Sequence, residues 1–300
     1  MRLAQFAVPG LGSRVGFVEG DRVVDITAPR EGIRGVVDLL AKGGTAAGVK
    51  RVIRRLRGST RRASYAFADL NRAPGSRVAH LRIPIDPPEV WAAGITYRRT
   101  ADFYSHATAR AEGIYDRAYE SERPELFFKA TASRCVGPNA PVRIRSDSQL
   151  TAPEPELAFV LGRNGDIVGY TLCNDLSAWD IERENPLFLP QSKIFAGCCA
   201  LGPVIVTTDE LRDPYQLELT CRLWRGGQVI FEERVKTSQL KRRCDELARW
   251  VLRDNVIPVG TVVSTGTGVL LPDEHALREG DQVEITVPQI GTLVNPVRHG

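Results

Sequence analysis

The stretch from Glu154 to Asp175, EPELAFVLGRNGDIVGYTLCND, constrains the fold more than any other. Two apolar runs flank Asn164-Gly165, a dipeptide that suits the left-handed backbone of a two-residue hairpin turn. Closing that turn at Arg163 and Asp166 sets Glu154 opposite Asp175 and Glu156 opposite Cys173. Residues two apart on a strand share a face, and so do directly opposed residues. Glu154, Glu156 and Asp175 are therefore expected to converge at one end of the hairpin, and a one-residue bulge would break that parity. Three carboxylates brought together in a partly buried place repel one another unless a cation holds them. Such a set of hard oxygen donors suits Mg²⁺, Mn²⁺ or Ca²⁺ better than zinc, and Mg²⁺ would keep positions for water or substrate. The alternative reading of the same acids is a solvated strand end.

The rest of the chain reads as mainly β with some α, an α+β fold. In residues 1–78, LAQFAV and RVGFVEGDRVVDIT alternate and turn at Glu19-Gly20-Asp21, as a hairpin does. GVVDLLAKG predicts a helix stopped by Gly43 and Gly44, and VKRVIRRLRG a second helix with a basic, solvated face. The proline-rich RIPIDPPEVWAAG marks the entry to residues 79–300, where strand patterns dominate. Helices are expected over parts of Tyr97–Tyr119 and over Ser238–Leu252. The expected organisation is a small N-terminal domain, 1–78, and a catalytic body, 79–300. A balance of 40 basic against 36 acidic residues is too weak and dispersed to imply a nucleic-acid partner. No apolar run long enough for a membrane span appears, and the N-terminus lacks the apolar core of a signal peptide. The six cysteines form no C-x-x-C pair, so reduced thiols in a cytoplasmic protein are expected.

PEPELAFVLG, GYTLCNDLSAWD, the lysine of PQSKIFAGCCALGPVIV, and STGTG, in this order, resemble the fumarylacetoacetate hydrolase family. RLAQF and RVGFVEGDRVVDI also resemble that family's small N-terminal domain. The resemblance implies a β-roll catalytic domain and a divalent-metal site with Glu154, Glu156 and Asp175 as ligands. It places Lys193 beside them and Thr265, Gly266 and Thr267 in a substrate-side loop. Tyr97, Arg98 and Lys129 are further candidates for substrate contact, with a core aromatic and two surface cations as the plainer alternatives.

Two departures refine the expectation. The family's hydrolases activate water with an Asn, a His and a Glu, where GITYRRTADF has Thr96, Thr100 and Phe103. His106 is the histidine nearby that would have to replace them. RPELFFKAT and ENPLFLPQSKIFAGCCALGP instead resemble the subgroup of 2-keto-3-deoxy sugar acid dehydratases, which implies Glu125 and Lys193 as the acid–base pair. The implied reaction is loss of water from a small 2-keto acid through a metal-stabilised enolate, as in 2-keto-3-deoxy-D-arabinonate to 2,5-dioxopentanoate. Lys193 then acts as base, as acid, or as a Schiff base. The resemblance also implies a homodimer or homotetramer. The rivals are a C–C hydrolase of an acylpyruvate using His106, a 2-keto acid decarboxylase or tautomerase, and a non-catalytic binding protein. Finally, Trp179 replaces the arginine of the family's N-D-x-S-A-R-D. Either that arginine is only structural, or the pocket prefers a less polar molecule.

Overall fold

The computed structural model describes residues 1–59, 62–107 and 113–300, without the side chains of Ser59, His106 and Ala107. The expectation attached to His106 therefore lies outside the described residues.

The N-terminal alternation forms β1 (Arg2–Val8), β2 (Gly12–Glu19) and β3 (Arg22–Asp25). Two helices follow, α1 (Val36–Gly43) and α2 (Ala46–Ser59), and then β4 (Ser64–Ala66). Gly44 turns the chain at φ 73°. A Cβ on Gly43 would lie 2.5 Å from the Val49 nitrogen, so only glycine lets the two helices approach this closely. Helix α2 buries Val49, Ile53 and Leu56 and turns Arg51, Arg54, Arg55 and Arg57 to solvent.

The body opens with β5 (Val90–Gly94), α3 (Arg98–Ala107), α4 (Ile114–Glu120), β6 (Glu125–Ala130) and β7 (Val142–Ile144). The hairpin strands β8 (Pro155–Leu161) and β9 (Ile167–Asp175) follow, then α5 (Trp179–Glu184), α6 (Leu189–Lys193) and β10 (Cys199–Thr207). The chain closes with β11 (Glu218–Arg225), β12 (Gln228–Lys236), α7 (Cys244–Leu252), β13 (Val262–Ser264), β14 (Gln282–Val287) and β15 (Gly291–His299). One sheet runs β4-β3-β2-β1-β10-β9-β8-β13-β5-β6, and a second runs β12-β11-β14-β15-β7. The N-terminal strands continue the sheet of the body, because β1 pairs with β10 through Arg2 opposite Val206. Among the described residues no helix is long and apolar enough to cross a membrane.

Strands β8, β9 and β10 are buried along almost their whole length, which is why they read as continuous apolar runs. Leu157, Phe159 and Leu161 face one core, while Ala158 and Val160 face a second core completed by α1 and α2. The hairpin turn is left-handed at Asn164 (φ 59°) and Gly165 (φ 80°), and the Asp166 N–H donates to the Arg163 carbonyl at 3.2 Å. The pairing beyond it is not the regular ladder expected. Leu161 lies opposite Ile167, one residue out of register, and a bulge restores the register at Val160 opposite Gly169. The two slips cancel. Glu156 ends opposite Cys173, and the Asp175 N–H donates to the Glu154 carbonyl at 2.9 Å.

Gly169 sits where β9 presses on β10. A Cβ there would lie 2.6 Å from the Val206 carbonyl oxygen, an atom fixed in the sheet. Gly169→Ala should destabilise the fold by about 1–3 kcal/mol, read as a lower urea midpoint. An unchanged midpoint would show that the sheet yields at this point.

Candidate metal and acid–base site

Glu154 enters β8, Glu156 lies within it and Asp175 ends β9, so the hairpin register brings the three together. One oxygen of each carboxylate lies within 4.8 Å of the others. None of the three residues is more than 5% exposed.

Two lysines face them. Lys129, fully buried on β6, pairs with Asp175 Oδ1 and donates to the carbonyls of Leu176 at 2.8 Å and Lys193 at 2.5 Å. Lys193, at the end of α6, places Nζ 2.8 Å from Glu154 Oε2, 2.6 Å from Ser177 Oγ and 3.5 Å from Asp175 Oδ2. Burial pushes the Lys193 ammonium down, but Asp175, Glu154 and Glu182 outweigh it and hold the group well above its ordinary value. Burial pushes Glu156 well up, aided by Asp175 and Glu154, although its Oε2 accepts from the Ser264 hydroxyl and from the Gly266 N–H at 2.7 Å.

Neither carboxylate oxygen of Asp175 has a hydrogen-bond donor of good geometry, only the charge of the two ammonium groups. When all three carboxyls are ionised, two ammonium groups leave one negative charge uncompensated in a desolvated place, the charge that keeps Glu156 raised. Orphaned oxygens and a net negative charge, with oxygen donors alone, fit a hard divalent cation.

The Thr265-Gly266-Thr267 loop is fastened onto β8. Thr265 Oγ1 donates to the Leu157 carbonyl at 2.8 Å and Thr267 Oγ1 to the Pro155 carbonyl at 3.0 Å. Gly266 has φ 90°, and a Cβ there would lie 2.1 Å from Thr96 Oγ1. Thr96 donates to the Thr265 carbonyl and Thr100 to the Thr267 carbonyl, each at 2.7 Å. Both threonines at the expected water-activating positions thus hold the loop.

Trp179 is fully buried behind Glu154 and does not line the pocket. Its Nε1 donates to Glu154 Oε1 at 2.7 Å, an oxygen that also accepts from the Tyr104 hydroxyl at 3.3 Å. Phe103 and Tyr104 pack on its ring, and the Arg183 guanidinium lies 5.3 Å from the ring centre. Of the two readings open for position 179, the structure favours the structural one, since Trp179 meets Glu154 from behind and not from the pocket.

A pocket opens on Glu154, Asp175 and Lys193, and its walls include Glu125, Glu182, Phe127 and Thr267. Glu125 lies opposite Gly94, where a Cβ would come within 2.2 Å of Glu125 Oε2, so the glycine makes room for the acid. Burial pushes Glu125 up, Lys193 pulls it back, and Glu154 and Asp175 push it up again, leaving it raised. Burial pushes Glu182 up to about 7, against the pull of Lys193.

The other expected substrate contacts lie elsewhere. Tyr97 is core, packed where a Cβ on Gly268 would meet its ring at 2.7 Å. Arg98 is on the surface, bound to Asp102 and Asp116 at 2.9 Å and to Glu120 at 3.2 Å. Lys129 lies under Asp175, and Thr265 and Gly266 lie behind Glu156. Of these candidates Thr267 alone lines the pocket among the described residues. The sequence reading missed Tyr104, Ser177, Glu182 and Ser264. Spacing gives a signal for two of them, since Tyr104 follows Thr100 by one helical turn and Glu182 follows Trp179 by nearly one.

Residues 89–298 match the family model for the fumarylacetoacetate (FAA) hydrolase C-terminal region. The chain belongs to the fumarylacetoacetate hydrolase family. It is 51% identical over 218 residues to a 2-dehydro-3-deoxy-D-arabinonate dehydratase of Saccharolobus solfataricus, spanning 72% of this chain and 73% of that protein. A probable 2-keto-3-deoxyxylonate dehydratase of Haloferax volcanii is 44% identical over 218 residues, 73% of this chain and 75% of that protein. Among solved structures, a 2-keto-3-deoxy-D-arabinonate dehydratase complexed with magnesium and 2,5-dioxopentanoate aligns with a TM-score of 0.85 at 38% identity. That alignment covers 100% of this chain and 99% of the other.

Trp179→Phe keeps the ring and removes the donor to Glu154. A lost hydrogen bond to a buried charged acceptor is worth roughly 1.5–3 kcal/mol, so Mg²⁺ affinity should change by about tenfold or more in calorimetric titration. An unchanged affinity would mean that Trp179 is only a packing residue.

Proposed function

We infer that the protein is a divalent-metal-dependent hydro-lyase that removes water from a 2-keto-3-deoxy sugar acid. The pair best supported by the relatives is 2-keto-3-deoxy-D-arabinonate as substrate and 2,5-dioxopentanoate as product. One observation carries the choice over a hydrolase. Glu125 and Lys193 face the pocket beside the carboxylates, while Thr96 and Phe103 do not line it and Thr100, which does, is tied to the Thr267 carbonyl and offers no base for water.

In this proposal Glu154, Glu156 and Asp175 hold Mg²⁺. The ion supplies positive charge that polarises the 2-keto group and acidifies the neighbouring C3–H. Glu125, which burial makes a stronger base than an ordinary carboxylate, faces the pocket and takes the C3 proton. Lys193 is held as an ammonium by its acidic neighbours and protonates the departing C4 hydroxyl. An ammonium has no lone pair for imine formation, so the Schiff-base role is not used. Loss of C3–H and C4–OH leaves a C3–C4 double bond conjugated to the 2-keto group. A proton then leaves C5 and one is returned to C3, and the C4–C5 enol so formed ketonises to the aldehyde.

Purified protein incubated with each enantiomer of a 2-keto-3-deoxypentonate should release water in Mg²⁺ and not in chelator, read by mass spectrometry. Glu154→Gln should abolish the reaction. No turnover of either enantiomer by protein that still binds Mg²⁺ would overturn the proposal. Lys193→Met should lower kcat by roughly 10²–10⁴, the usual worth of a general acid, with the protein still folded.

A further inference from the structure

One carboxyl group of the pocket transfers no proton in the removal of water, although its charge helps to hold Lys193 as an ammonium. Glu182, on α5, is 6% exposed and lines the same pocket as Glu125 and Lys193. Its Oε2 is buried with no hydrogen-bond partner among the described residues. The nearby cations are held by other acids: Arg183 binds Asp273 through its two terminal nitrogens, at 2.7 and 3.0 Å, with Nε unpaired among the described residues, and Lys193 holds Glu154 at 2.8 Å. A carboxyl oxygen left unpaired in a buried place is costly, and in an enzyme pocket it marks a group awaiting a ligand.

The proposed reaction leaves one demand unmet. Converting a five-carbon 2-keto-3-deoxy acid into an aldehyde requires protons to be removed at two carbons. Glu125 takes the proton at C3 and Lys193 supplies the one at the C4 oxygen. The intermediate after water loss is a 5-hydroxy-3-ene 2-keto acid. Its C5–H is acidified through the conjugated double bond by the 2-keto group, and a base is needed there.

We propose that Glu182 is a catalytic residue of this second half, which takes the proton from C5 of the unsaturated intermediate. The C5–H electron pair moves to form the C4–C5 double bond, and the C3–C4 pair shifts onto C2–C3 as the keto oxygen takes up charge. Protonation at C3 restores the ketone and leaves a C4–C5 enol. Protonation of that enol at C4, with loss of its hydroxyl proton, gives the aldehyde. No oxidant or reductant enters, because the oxidation at C5 balances the reduction at C3 and C4. This role rests on the dehydratase reading.

The test separates the two halves in Glu182→Gln. Water loss, followed by mass, should slow by no more than about tenfold, the loss of one acidic neighbour of Lys193. The conjugated hydroxy-enone should accumulate and be visible by its ultraviolet absorbance, while aldehyde formation, read by a carbonyl-trapping reagent, falls about 100-fold or more. Glu182→Asp, which keeps the carboxylate, should recover part of the aldehyde rate. Aldehyde formation at the native rate in Glu182→Gln would overturn the assignment, as would equal slowing of both halves in variant protein that still binds Mg²⁺. Should Glu182→Gln not fold, an aldehyde rate in Glu182→Asp no lower than its rate of water loss would overturn it. Absence of water loss in the native protein would instead strike at the dehydratase reading itself.

Discussion

Negative charge held out of water is the constraint on which the rest of the structure depends. Two like charges about 4 Å apart repel by roughly 4 kcal/mol at an effective dielectric of about 20. Three such pairs approach the whole stability of a typical domain, about 5–15 kcal/mol. The chain meets that cost with fixed partners. Lys129 and Lys193 come from two different elements, Ser264 and the Gly266 N–H reach Glu156, and Trp179 and Tyr104 reach Glu154. The hairpin, the Thr-Gly-Thr loop and the α5–α6 segment are positioned by these contacts as much as by apolar packing.

The same carboxylate set can serve several reactions of 2-keto acids, so its surroundings decide the chemistry. Here the segment that opens α3 supports structure. Thr96 and Thr100 fasten the loop, and Phe103 packs on Trp179. Arg183, one helical turn after Trp179, lies over Trp179 and Phe103 and holds Asp273. An aromatic donor thus stands beside the site with a cation behind it.

The convergence of Glu154, Glu156 and Asp175 was legible because strand geometry has a period of two and Asn-Gly names its own turn. The bulge was not legible, and the register survived only because the turn and the bulge each displace the pairing by one residue. Glu125, Phe127 and Lys129 alternate along one face of β6. The first two line the pocket, while the lysine passes beneath Asp175. Sequence spacing gives that shared face but not its depth, which is why Lys129 read as a substrate contact. For Tyr97 and Arg98 the plainer alternatives, a core aromatic and a surface cation, are what the structure shows, since neighbouring positions at the start of a helix point to core and to solvent. Trp179 and Glu182 needed the direction in which α5 leaves the sheet, a tertiary fact with no local signature.

The most direct measurement is a crystal structure of the protein grown with Mn²⁺, recorded where manganese scatters anomalously. One strong anomalous peak is expected among Glu154, Glu156 and Asp175, about 2.1 Å from an oxygen of each. Density with no peak there, and with Lys129 and Lys193 still closing on the carboxylates, would contradict the metal site and the chemistry derived from it.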